Sequence, residues 1–469
     1  MLFNSLSFLL FFPILCIAFF LIPSKQTRIR NILLLVASYY FYMNWKAEFA
    51  VLLLSSTLVT YFCSRGIAKS NEKKTKKSLL VLSIIFNIGL LFLFKYYNFF
   101  AVSIENALSW SGLRIDIPEF SLLLPVGISF YTFKALGYTI DVYRGTTPVE
   151  KDFITYSLFV SFFPQLAAGP IDRANNLLPQ LKMPHSFDYE RALGGAKIML
   201  WGYFLKLVLA DRCGIYVDAI FNNVDYHNGG SYLIASLLFT FQIYGDFAGY
   251  SLIAIGVAKV MGYDLMENFR RPYFASSVGE FWHRWHISLS TWFRDYVYIP
   301  LGGNRVSKAR CYFNLFITFL VSGIWHGANW TFFVWGALHG ILLCIEKAVG
   351  ISKQKYAGTS RFFHCLCTFI LVTIAWVFFR ADSLSDAVTV ITGIFTNWGI
   401  PKAEYAHWLA IIVALIVLVM KETKDEFALK NRFFERNRLV IDHAYIILMV
   451  CYIMLFGVLG SDQFIYFQF

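Results

Sequence analysis

The sequence predicts an all-α protein that crosses a membrane many times, and three observations carry that prediction. Of its 469 residues, 58% are hydrophobic and only 15% charged, with a mean hydropathy of +0.57. A water-soluble domain of this size needs a polar exterior that such a composition cannot supply. Apolar stretches long enough to cross about 30 Å of hydrocarbon recur from one end of the chain to the other. The remaining charges sit in short clusters between those stretches, so the net charge of +12 reads as membrane topology and not as a nucleic-acid surface.

The first stretch, 2–22, has no basic region before it and no small-residue cleavage site after it, so a retained helix is expected. Spans 31–45, 47–64 and 78–100 follow. Lys25, Arg28 and Arg30 lie between the first two, and Lys69, Lys73, Lys74, Lys76 and Lys77 between the third and fourth. These basic loops alternate with the nearly uncharged connection 44–48 and a mildly acidic loop at 105–119, which places the amino terminus outside by the positive-inside rule. Further apolar segments run at 122–140, 153–169, 194–220, 231–261, 311–345, 362–380, 408–420 and 444–460. The expected total is roughly ten to twelve crossings, with 311–345 long enough for two short helices.

Pro125, Gly127, Pro164, Gly169, Pro170, Pro300, Gly302 and Gly303 interrupt the central segments. Backbone broken at membrane depth survives only where protein or a water-filled cavity satisfies its polar groups, so a cavity or re-entrant segments are expected there. No fixed-period repeat is visible, which weakens a reading as an inverted-repeat transporter. Residues 1–469 read as a single membrane-embedded domain. The eight cysteines are scattered through apolar segments without disulfide or zinc spacing and read as small buried apolar residues.

The least lipid-like stretch is 267–310. Trp282, Trp285, Leu289, Trp292 and Tyr296 share one face of an ideal helix, predicting one amphipathic helix suited to a membrane interface or to the wall of a polar cavity. Directly after it, Phe319–Trp330 reads as transmembrane yet carries His326 between Gly323 and Gly327. Ionisable groups inside membranes are costly and point to function, and the flanking small residues are read as room for a substrate to approach. Asp246 is a second buried ionisable group, with a structural ion pair or helix-packing hydrogen bond as its ordinary role. Lys206 and Asp211 read as topological charges near a helix end.

At these residues the sequence resembles the membrane-bound O-acyltransferase (MBOAT) family, and within it the bacterial polysaccharide branch. The matching text is Phe281–Asn304, Gly323–Trp330, Leu124–Phe133, Phe163–Pro170, Tyr244–Ser251 and the terminal 457–469, so the resemblance spans essentially the whole chain. It implies an MBOAT-like ring of about eleven transmembrane helices with re-entrant or interfacial helices around a central tunnel, and a catalytic core at approximately 120–345. Two funnels, cytoplasmic and outer, would meet at the catalytic histidine, which maps to His326; a second functional histidine maps to His286. His283 stands where relatives often carry Arg and inherits no role. The resemblance further implies acetyl-CoA as donor substrate without a permanently bound cofactor, a bacterial inner-membrane location, and a periplasmic or extracellular partner transferase.

Acyl transfer from a thioester to an alcohol needs a base for the hydroxyl proton and donors for the oxyanion. Imidazole, with an ordinary pKa near 6.5, suits the first task. His326 is the expected base, with His286 orienting it or polarising the thioester carbonyl. Asn329 and Trp330, read as one helical turn beyond His326, are expected oxyanion or positioning donors, packing being the ordinary role of the tryptophan. Arg270, Arg271, Arg284, Arg294 and Arg305 have the geometry to hold coenzyme phosphates, or equally anionic lipid headgroups. No metal site is expected, because His283 and His286 lack a third ligand at suitable spacing. Two other readings stay open: D-alanyl transfer to teichoic acid from a carrier-protein thioester, and a secondary transporter.

Overall fold

A computed structural model describes residues 1–113, 115–351, 354, 356–401, 408–428 and 438–458. The terminal part of the resemblance, 459–469, lies outside them. Among the described residues every regular element is helical. The chain forms two compact units, one of Met1–Ala196 with Ala254–Met266, the other of Lys197–Ile253 with Glu267–Phe469.

In chain order the helices are α1 Leu6–Leu21, α2 Thr27–Met43, α3 Phe49–Lys69, α4 Lys73–Leu91, α5 Tyr97–Trp110, α6 Ile128–Arg144, α7 Phe153–Ser161, α8 Phe163–Leu166 and α9 Ala174–Lys182. They continue with α10 Tyr189–Tyr203, α11 Asp211–Phe221, α12 Gly229–Val260, α13 Val278–Arg284, α14 Ile287–Phe293 and α15 Lys308–His326. The last are α16 Trp330–Val349, α17 Gly358–Arg380, α18 Leu384–Thr396, α19 Trp408–Glu426 and α20 Arg438–Phe456. Short π-helical turns, Phe92–Tyr96 and Phe204–Ala210, join α4 to α5 and α10 to α11. A turn of this kind adds one residue to the helical repeat and shifts which side chains face inward, without breaking the rod.

Six rods among the described residues are long and apolar enough to cross a membrane: Phe49–Lys69, Lys73–Trp110, Tyr189–Phe221, Gly229–Val260, Trp330–Val349 and Gly358–Arg380. Leu6–Leu21, Leu384–Thr396 and Val440–Phe456 are shorter apolar helices. The roughly ten to twelve apolar runs read as crossings outnumber these six because α1, α2 and α6, of 16, 17 and 17 residues, are shorter single helices and one run is split. Residues 153–169 split into α7 and α8 at Phe162, and α6 begins only after Gly127, whose φ is +73°. A methyl group on Gly127 would stand 2.0 Å from the Leu166 carbonyl oxygen, so two broken segments touch backbone to backbone there. The short helix α18 is an element the sequence reading passed over.

The surfaces suit lipid. On α1, Phe8, Phe12, Leu15 and Phe19 point inward, yet Leu6, Ile14, Ile17 and Leu21 are exposed. A helix apolar on every face belongs in hydrocarbon. The chain is a multi-pass membrane protein.

Cys63, Cys213 and Cys311 are buried, but Cys367 and Cys451 are exposed, so the expectation of buried thiols holds for only some of the eight.

Candidate active site

Helix α15 ends at His326, and the chain reverses through 327–329 into α16. Asn329 makes the turn: its Oδ1 accepts the Thr331 N–H at 3.0 Å and its Nδ2 donates to the Asp382 carbonyl at 2.8 Å. Side chains of this type offer the backbone an alternative to helix continuation and so start new helices. This corrects the reading that put Asn329 and Trp330 one turn beyond His326 on a single helix. Asn329 is a helix cap, and Trp330 is half exposed.

The glycines flanking His326 also serve a different end from the one expected. A methyl group on Gly323 would lie 2.4 Å from the Phe332 carbonyl oxygen and 2.9 Å from the Gly336 Cα, and one on Gly327 would overlap the Phe332 ring. The small residues admit α16, not a substrate. This close approach seals His326, which is 3% exposed. Its ring stands edge-on to Trp325, Trp335 and Phe379, with centroids 4.8, 5.0 and 5.4 Å away.

The amphipathic helix expected over 282–296 does not form as one piece. It breaks at His286, whose φ of +42° ends α13 and opens α14. Left-handed backbone at a residue with a Cβ costs about 1–2 kcal/mol and persists only when its surroundings impose it. Here the strand-like segment before it does so: the Ile287 N–H donates to the Asn268 carbonyl at 2.9 Å and the Arg270 N–H to the Arg284 carbonyl at 2.8 Å. Trp282, Trp285, Leu289 and Trp292 are all buried, so they form an interior wall and not a row of interfacial anchors.

His286 is fully buried. Its Nδ1–H donates to Asn268 Oδ1 at 3.1 Å, and the Ser288 N–H and Oγ–H donate to the same oxygen at 3.2 and 2.9 Å. Because a backbone N–H can only donate, the Asn268 amide orientation is determined, and with it the imidazole tautomer: the His286 Nε2 carries the lone pair. Burial pushes the pKa of this group down to about 3, so it is neutral at physiological pH. Both histidines pack on the same indole, Trp325, His286 with its centroid 6.3 Å away.

A third histidine completes the cluster, and sequence reasoning missed it. His339 on α16 is fully buried, accepts the Trp282 indole N–H on Nδ1 at 3.2 Å, and packs 4.9 Å from Trp335. The signal was present, an ionisable residue inside an apolar run, but no motif drew attention to it. Trp335 thus lies between His326 and His339.

A polar cavity of about 400 Å³ opens beside the α15–α16 turn. Its wall includes Asp218, Asn222, Asn329, Phe332, Arg380 and Asp382. Arg380 donates to Asp218 at 2.8 Å and Asn222 at 2.7 Å. The Phe332 ring packs 4.9 Å from Phe379, which in turn touches His326. Two phenyl rings therefore separate the cavity from the imidazole.

Of the remaining expected site residues, all but Arg305 are held in ion pairs. Arg284 pairs with Glu280 at 2.6 Å and Glu426 at 2.9 Å, and Arg271 and Arg361 reach the same Glu426 at 2.8 and 2.6 Å. Arg270 pairs with Glu267, Arg294 with the adjacent Asp295, and Arg305 is exposed. Asp246 forms the ion pair that was its ordinary reading, at 2.5 Å from Lys206. Lys206 also holds Asp211 at 2.8 Å and is 1% exposed within a π turn, so the reading of Lys206 as a topological charge near a helix end is corrected. No pattern along one helix could show that its second partner comes from α12. His283 is exposed while His286 is buried, so the two do not converge on one ligand. Among the described residues no three His, Cys, Asp or Glu side chains are grouped to hold a metal ion.

The candidate site of this multi-pass membrane protein is thus a set of buried imidazoles on an aromatic wall with a polar cavity alongside. The chain belongs to the membrane-bound O-acyltransferase (MBOAT) family, whose profile matches residues 149–384, and it is an O-acyltransferase. It is 40% identical over 443 residues to a probable alginate O-acetylase AlgI of Pseudomonas syringae pv. tomato, covering 93% of this chain and 84% of that one. It is 34% identical to a peptidoglycan O-acetyltransferase of Helicobacter pylori, over 84% of this chain and 79% of the relative. A teichoic acid D-alanyltransferase of Streptococcus thermophilus is 35% identical over 51% of this chain and 61% of its own.

Proposed function

We propose that this protein moves an acetyl group from cytoplasmic acetyl-CoA across a bacterial inner membrane toward hydroxyl groups of a cell-surface or secreted polysaccharide, by way of a partner transferase on the outer side. The amino terminus lies outside, and the catalytic core of the single functional domain is residues 120–345 extended to Arg380. The observation that carries the reading is the seat of His326: buried, at the end of helix α15, one phenylalanine pair away from a polar cavity.

In the reaction His326 takes the acceptor hydroxyl proton as the oxygen attacks the thioester carbonyl carbon. The C–S bond then breaks and the proton passes to the departing thiolate. His286, neutral and with its Nε2 lone pair free of a proton, accepts hydrogen bonds; it orients the acceptor hydroxyl and does not polarise the carbonyl. Arg361 and Arg380 stand near opposite ends of α17, about 28 Å apart at 1.5 Å per residue, one hydrocarbon thickness. The basic end with Arg271, Arg284 and Arg361 is the cytoplasmic one by the positive-inside rule. The cavity at Arg380 then faces outward, toward the acceptor.

Acetyl transfer is favoured over D-alanyl transfer because the relatives named as O-acetylating enzymes align over 84–93% of this chain and the D-alanyltransferases over about half. The test uses purified protein in lipid vesicles with radiolabelled acetyl-CoA, following coenzyme release and label transfer to an added alcohol. His326→Ala should abolish transfer in protein that still inserts and folds; turnover near the wild-type rate removes the mechanism. Transfer from a D-alanyl carrier thioester but not from acetyl-CoA replaces the donor assignment.

A further inference from the structure

Two buried N–H groups on α16, one on Trp335 against His326 and one on His339 against Trp335, have no hydrogen-bond acceptor among the described residues. One is the indole Nε1–H of Trp335, a side chain with no solvent exposure. The other is on His339: Nδ1 accepts from Trp282, so the neutral ring carries its proton on Nε2, which also lacks a partner. Buried donors are almost always satisfied, and an unsatisfied one in a native protein calls for an explanation. Packing does not supply it. The face-to-edge contacts of Trp335 with His326 and His339 would be equally available to an apolar ring of similar size, which would avoid the desolvation cost of the N–H.

We infer that the Trp335 and His339 N–H groups are the oxyanion donors of the acyl-transfer reaction, a role that Asn329, occupied as a helix cap, cannot fill. The inference rests on the reading of His326 as the base. When the acceptor oxygen attacks, the carbonyl π electrons move onto the thioester oxygen. That oxygen accepts the N–H bonds until the tetrahedral intermediate collapses, the C=O bond re-forms and the thiolate leaves. The donors keep their protons throughout, so the step needs no further reactant. Pre-oriented donors in a site closed to water act most strongly on charge that appears only in the transition state. Leaving both unsatisfied in the resting protein fits that use.

The test replaces Trp335 by Phe, which keeps an aromatic ring and deletes the N–H. In parallel, His339→Asn keeps an acceptor for Trp282 and a donor, while His339→Leu removes both. For each variant kcat, KM for acetyl-CoA and Tm are measured in the same vesicles as His326→Ala. Trp335→Phe or His339→Leu should lower kcat by about 100- to 1,000-fold with KM changed less than about threefold, Tm for Trp335→Phe at or above wild type, and His339→Asn closer to wild type than His339→Leu. Wild-type kcat in both Trp335→Phe and His339→Leu overturns the inference, as does a kcat loss that tracks a fall in Tm. If His326→Ala itself turns over normally, the parent reading has failed; if only His326→Ala is inactive, the oxyanion assignment alone has failed.

Discussion

Replacing Glu426 by Gln removes one charge from the centre of a three-arginine cluster. The carboxylate Oε2 accepts from Arg271 Nε at 2.8 Å and an Arg284 NH at 2.9 Å, and Oε1 accepts from Arg284 at 3.0 Å and Arg361 at 2.6 Å. A glutamine amide keeps one acceptor and turns an N–H pair toward guanidinium groups that can only donate. Burial alone would raise the carboxyl pKa, but the Arg284 and Arg271 hydrogen bonds outweigh it and hold the group down at about 2, against an ordinary 4.5. At about 1.4 kcal/mol per pKa unit this corresponds to roughly 3 kcal/mol. Arg271 and Arg361 are about a third exposed and part-screened by water, which reduces the expected loss to about 2 kcal/mol.

The pH dependence follows from the sign of the shift. A depressed carboxyl contributes its stability fully above its unfolded pKa and loses it as pH falls from about 4.5 toward 2. Thermal unfolding of Glu426→Gln against the parent, at matched lipid and salt, should therefore show a lower Tm at pH 7 and a gap that narrows steadily below pH 4.5. An unchanged Tm at pH 7, or a gap of constant size down to pH 3, refutes the reasoning.

Three further outcomes are expected. Lys206→Met leaves Asp211 and Asp246 as buried carboxylates without their shared cation, and should cost about 3–5 kcal/mol, read as loss of folded, monodisperse protein after extraction; restoration of yield by the triple change with Asp211→Asn and Asp246→Asn checks the cause. Asn268→Ala frees the His286 tautomer and should lower kcat by roughly tenfold or more with little change in donor KM, by analogy with the loss of outer partners that orient a histidine. Asn329→Ala removes the α16 cap and should lower stability by about 1 kcal/mol, measurable as a reduced Tm without abolished turnover.

Helical class and membrane character were legible in the residue order, and its motifs singled out His326 and His286 as candidates. The first two follow from composition and the length of apolar runs, properties that do not depend on how helices meet, and the histidines stood in motifs. Surroundings were not legible. Helical periodicity over 282–296 concealed a break at His286, because the backbone bonds that impose its left-handed φ come from Asn268 and Arg270, outside the pattern being read. The glycines around His326 looked like space until α16 filled it. Lys206, Asp246, Glu426, Asp218 and Arg380 each acquire a role only from a partner on another helix.

What the sequence determined by itself is thus the medium the chain dissolves in and the chemical groups available for acyl transfer, since hydropathy and side-chain chemistry are local properties. What the tertiary structure alone decided is which buried groups find a hydrogen-bond or charge partner and which do not. Hydrogen bonds and ion pairs are contacts across the fold, and a linear pattern carries no record of who stands opposite whom.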